Sequence, residues 1–164
     1  MKFLITILGI LGMIGLVVGP LAQATDTATI TATVTVQNIS LSVSDGSITY
    51  GTIPANSSKS TCDLNDTQTV TNNGNVAETF NIKGQNSANW TLAATNGTDQ
   101  YVHKFATSSC PWTSGTALTT SYQTMQTNVA VNGTVTLNLQ ITTPNPSTVF
   151  TEQSVDVTVQ AVAY

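Results

Sequence analysis

Two cysteines, one histidine and eight carboxylates are the residues of this 164-residue chain that could do more than pack. A hydrolase needs a nucleophile, a base and an orienting group converging in one pocket. His103 is the only imidazole, and it lies in the alternating stretch 101–105, where period two makes it a strand-face residue. Glycosidase chemistry needs two acids facing each other across a sugar, roughly 5 to 10 Å apart. Only Glu78 and Asp156 fall on predicted strands, and nothing in the sequence joins them. No catalytic residue and no cofactor are therefore expected. Asp63, Asn65 and Asp66 in one loop, with Asp45 and Asp99 in others, are oxygen ligands of the kind calcium takes. Their spacing matches no EF-hand loop, and solvated loop acids are the plainer reading. Cys62 and Cys110, with a single histidine, do not complete a zinc set.

Carbohydrate binding would need exposed aromatic platforms beside amide hydrogen-bonders. Trp90 shares parity with Leu92 and is expected in the core. Trp112 follows Cys110 and Pro111 and is expected to pack on a disulfide, with exposure as the alternative; Tyr101 and Tyr122 stand behind it as ligand-binding candidates. Sequons occur at Asn38, Asn56, Asn65, Asn89, Asn96 and Asn132, no more than an Asn-, Ser- and Thr-rich chain produces by chance.

These residues must be placed by elements, and the chain begins with one of another kind. Lys2, an apolar run over 3–18, Gly19-Pro20 and then Ala22-Gln23-Ala24 have the order of a secretory signal peptide. A retained anchor is the rival, since the run approaches the roughly 20 residues that span a membrane. Cleavage after Ala24 is favoured by Pro20 and by the lack of a basic stop-transfer cluster, and it leaves no membrane segment. The mature chain, 25–164, is one domain's worth. It holds three lysines against eight acids, a net charge of −5, and those scattered lysines cannot form a phosphate-binding patch, so nucleic acid is excluded. Export implies an oxidising compartment, in which Cys62 and Cys110 pair by default. In the chain-entropy model a loop of that length contributes about 4 kcal/mol.

Beyond residue 25 nearly every stretch has the period of a half-buried strand. Ala28, Ile30, Ala32, Val34 and Val36 alternate with threonines; Ile39, Leu41 and Val43 then continue on the other parity, so a bulge or a crossing between sheets is expected between them. Further strands are read around 48–50, 67–70, 77–83, 90–94, 101–107, 118–122, 129–131, 135–141 and 155–163. Asp45-Gly46, Asn72-Asn73-Gly74-Asn75, Asn96-Gly97, Ser114-Gly115, Asn132-Gly133 and Pro144-Asn145-Pro146 supply the turns between them. Eight to ten short strands at this spacing predict an all-β antiparallel sandwich. No window of the mature chain shows a helical apolar stripe of useful length.

Tyr50-Gly51-Thr52-Ile53-Pro54, the strand and turn over 68–75 with Thr71-Asn72-Asn73-Gly74-Asn75, the strand 78–84 and then Asn89-Trp90-Thr91-Leu92 form a recognisable order. Over residues 48–92 it resembles bacterial surface immunoglobulin-like domains of the choice-of-anchor and NEW3 kinds. Residues 62–66 are an insertion relative to that pattern. The resemblance implies an immunoglobulin-like sandwich at a cell surface, with an accessory or repeat role and no catalysis.

The expected function is an exported structural or adhesive protein at the cell surface. A filament or coat subunit is one form of it, and a soluble carbohydrate-binding module is the alternative. The motivating feature is segment 25–36, which is uncharged after Asp26 and regular enough either to close its own sheet or to add to the edge of another copy. The partners so implied are a second copy or surface glycans.

Overall fold

Apolar residues at every second position bury one side of a strand, and this pattern builds the domain. In the computed structural model, residues 25–164 are described; the signal-peptide reading lies outside them. The chain divides into Met1–Val34 and Thr35–Tyr164. In the first unit the described residues, 25–34, carry no regular secondary structure and are exposed. The second unit holds all the elements in the order β1 (Leu41–Val43), β2 (Ser58–Ser60), α1 (Thr61–Leu64), β3 (Gln68–Asn72), β4 (Glu78–Lys83), β5 (Thr91–Leu92), β6 (Gln100–Ala106), β7 (Thr116–Ala117), β8 (Gln123–Val129), β9 (Thr134–Thr142) and β10 (Thr158–Ala163).

One sheet has the order β1-β3-β9-β6-β5, with β2 also on β9 and β7 also on β6; the other has the order β10-β4-β8. All pairs are antiparallel except β5 with β6, which is parallel. Between the sheets lies an apolar layer. Val70, Phe105, Val135, Leu137 and Leu139 come from the first sheet, and Phe80, Ile82, Met125 and Val129 from the second. The result is sandwich-like, and its strands fall largely where alternation places them. Burial in β4 alternates over Glu78, Phe80 and Ile82, and in β3 over Gln68, Val70 and Asn72.

Several expectations are revised. Residues 48–50, expected as a strand, carry no regular secondary structure, and of 129–131 only Val129 lies in one, as the last residue of β8. Residues 28–36 form no strand in the single chain, because alternation makes a strand only when a neighbouring ladder takes the backbone groups. Residues 118–122 are not a strand either: β7 ends at Ala117 and β8 begins at Gln123. The loop at 61–64 is a helical turn. Ser60 is its N-cap, accepting from Asp63 N at 3.2 Å while the Asp63 carboxylate accepts from Ser60 N at 2.8 Å, a reciprocal capping box.

Cys62 and Cys110 are joined, with Cα atoms 5.5 Å apart. The bridge holds α1 to the loop after β6. Asn138 of β9, 1% exposed, lies in the same region. Its Oδ1 accepts from Thr61 at 2.9 Å and Thr67 at 2.8 Å, and its Nδ2 donates to Ser108 O at 2.8 Å. A buried amide is tolerated because both of its ends are satisfied.

Candidate functional site

The segment entering the domain is an arm, and the sequence 71–75 holds its base. Asn38 N donates to Asn75 Oδ1 at 2.8 Å, and Asn75 N returns a bond to Asn38 O at 3.1 Å. Asn75 Nδ2 donates to Val36 O at 2.8 Å, and Asn73 N to Ser40 O at 2.8 Å. Ser40 N donates to Glu78 Oε1 at 2.9 Å. The turn is itself held from within. Asn72, fully buried, donates to Val76 O and Val129 O, each at 2.9 Å, and accepts from Gly74 N at 2.8 Å. The parity change between Val36 and Ile39 falls on this clamp, where side-chain amides replace a strand ladder and release the alternation.

Upstream of the clamp the arm's apolar side chains meet solvent: Ile30 is 93% exposed, Val34 92% and Val36 82%. Single exposed apolar residues are ordinary, whereas a row of them on one parity is an uncovered face. No charge falls between Asp26 and Asp45 to keep such a strand from pairing.

Gly74 is the tightest point of the clamp. A Cβ there would lie 2.5 Å from Asn38 O and would also strike the Glu78 carboxylate, whose chain neighbours are fixed in β4. Gly74→Ala should therefore cost about 2 kcal/mol, as overpacking does, and should quicken protease cleavage within 35–42. Cleavage at the wild-type rate would show that the turn does not hold the arm.

The other candidates stay apart. Asp63 Oδ2 also accepts from Ser60 Oγ at 2.7 Å, and these Ser60 bonds hold its carboxyl below the usual carboxylate range. Asn65 is the left-handed C-cap of α1, with φ 53°, and Asp66 Oδ1 accepts from Gln68 Nε2 at 2.7 Å. Their oxygens thus serve caps and turns, and among the described residues no three His, Cys, Asp or Glu side chains are placed to share a metal. Asp99 joins the 145–148 loop, accepting from Thr148 N at 2.7 Å and from Ser147 Oγ at 3.1 Å, with bonds from Thr148 foremost in holding its carboxyl low.

Tyr101 gives no platform: it is 1% exposed, and its hydroxyl donates to Gln85 O. Burial raises its pKa. Tyr122 is 42% exposed with Lys83 Nζ 4.8 Å from its ring centroid, and half-buried Trp112 lies against Gly115. The aromatic contacts among the described residues instead link Trp90 to Tyr101, Tyr101 to His103 and His103 to Tyr50. Trp90 is half-buried, not fully enclosed, because its Nε1 reaches Ser147 Oγ at 3.2 Å. Comparison with protein-family models, curated proteins and solved structures finds no match.

His103 is 3% exposed, its Nε2 shares a 3.1 Å hydrogen bond with Tyr50 Oη, and its Nδ1 has no partner among the described residues. Burial holds its pKa down to about 4 and pushes that of Tyr50 up. The clamp and this histidine pocket were both missed by sequence reasoning. Thr71-Asn72-Asn73-Gly74-Asn75 was legible as a turn, but the segment it grips lies more than thirty positions upstream. The capping box was legible in Ser60-x-x-Asp63.

Proposed function

We propose that this chain is an exported, non-enzymatic structural protein of the cell surface, built as an immunoglobulin-like sandwich, whose subunits join by strand addition. The observation that carries this reading is the uncharged, alternating arm, clamped at its base and exposed along its apolar face. Backbone groups of such a segment and those of a sheet edge complete each other, while alternate side chains supply apolar contact. The disulfide supports an oxidising location. Among the described residues no helix is long and apolar enough to cross a membrane.

Deleting residues 25–36 tests the reading. Sedimentation of the intact mature chain should show oligomers that the deletion abolishes, and the shortened protein, keeping every strand of both sheets, should stay folded and bind the free 25–36 peptide. A mature chain that is monomeric at every concentration, with a deletion variant indifferent to the peptide, would remove the assembly role and favour the carbohydrate-binding module.

A further inference from the structure

One side of the core is left open. In the second sheet β8 is the terminal strand, paired only with β4, so its other backbone edge is free. In the first sheet, β3 covers residues 134–137 of β9 on one side, but β6 pairs with β9 only from Asn138 to Thr142. The β6-side edge of 134–137 therefore also lacks a strand. Between these two free edges lies a hollow of about 430 Å³, and adjoining it, between β8 and the paired β6 and β7, lies a second of about 450 Å³, with Thr107 in the walls of both.

The floor of this trough identifies what it lacks. Val70, Phe80 and Ile82 in the core are fully buried, whereas Phe105, Met125, Val129 and Val135 keep 6 to 8% exposure. Those four are the core residues that line the hollows. The core is thus thinnest where a strand is missing. No charged residue lines either hollow, and β8 carries neither the lysine nor the proline with which exposed edges are usually protected.

We infer that the trough beside β8 is the acceptor for the 28–36 arm of a second copy of this chain. This rests on the assembly reading above and names its surface. The arm presents Ala28, Ile30, Ala32, Val34 and Val36 on one face and only threonines on the other. Inserted beside β8, it lays the first set over Phe105, Met125, Val129 and Val135 and turns the threonines to solvent. Its nine residues extend about 30 Å at the usual rise per residue, enough to run the length of seven-residue β8, about 23 Å. Both surfaces are uncharged, so no ion is desolvated without a partner. The arm's own base is tied at the Val129 end of β8, because Asn75 holds Val36 O and Asn72 holds Val129 O. An arm running antiparallel to β8 must then come from another molecule.

Disulfide trapping between two differently marked chains tests this. One protein carries Thr31→Cys or Thr33→Cys as donor; the other, with residues 25–36 deleted, carries Thr124→Cys or Gln126→Cys as acceptor. Directly opposed residues of a non-hydrogen-bonded pair place Cβ atoms about 4.5 Å apart, the outer reach of a bridge. Ser42→Cys on β1 and Gln160→Cys on β10 mark two other free edges, one in each sheet. Mild oxidation should give at least tenfold more mixed dimer with the β8 acceptors than with either control. Preferential trapping at β1 or β10 would overturn the trough as acceptor while leaving strand addition intact. Oligomers that trap at no edge would overturn the inference too, and a mature chain that never oligomerises would overturn the assembly reading itself. Folding of each cysteine variant is checked by its thermal transition, and two acceptor positions keep the result independent of either one.

Discussion

Reducing the Cys62–Cys110 bridge should lower the domain's stability by about 4 kcal/mol, the loop-entropy value for its sequence separation of 48. That is a large part of the roughly 5 to 15 kcal/mol by which domains are stable. The closed loop contains β3, β4, β5 and β6, strands from both sheets, so the tie restrains an unfolded chain that must otherwise find long-range partners. The Asn138 bonds to Thr61, Thr67 and Ser108 do not use the sulfurs, so the reduced protein keeps them and should fold. Urea unfolding of the oxidised protein and of Cys62→Ser/Cys110→Ser should show a lower midpoint and a steeper slope for the variant, whose unfolded chain exposes more surface. Coincident midpoints would show that the bridge adds nothing.

Acidification toward pH 4 should cost about 3 kcal/mol through His103 alone. The folded pKa of His103 is about 4, against about 6.5 for an unfolded histidine, so between these values the unfolded chain takes up a proton that the folded one refuses. The histidine's full contribution is present above pH 6.5 and falls away as the pH drops toward 4. Tyr50 and Tyr101 face the ring, and neither carries a charge in this range to hold an imidazolium; the cause of the shift is burial. Asp63 and Asp99, held low by their serine and threonine bonds, protonate below this window. Chemical denaturation at pH 7.5, 5.5 and 4.5 should trace the loss, and His103→Gln should flatten it. A wild-type curve unchanged to pH 4.5 would mean that the pocket admits a proton without opening.

Local chemistry made much of this protein legible in advance. Alternation over 78–83 and 135–141 reads directly as strands because each side chain's face depends only on its own position, and β4 and β9 lie there. An even cysteine count, read with the expectation of export, pointed to the Cys62–Cys110 pairing, and isolation on an alternating stretch sufficed to place His103 on a strand face. The same alternation over 28–36 stated that this segment suits a sheet, but not whether a sheet was available, since a ladder needs hydrogen-bonding groups from elsewhere in the chain or from another chain. The tertiary structure decided what depends on distant partners. It set Asn75 against Asn38, buried Tyr101 with His103, ended β6 short of residues 134–137 of β9 and left the far edge of β8 free. None of these follows from a residue's own type, because which edge is filled is settled only when every strand of both sheets has competed for its neighbour.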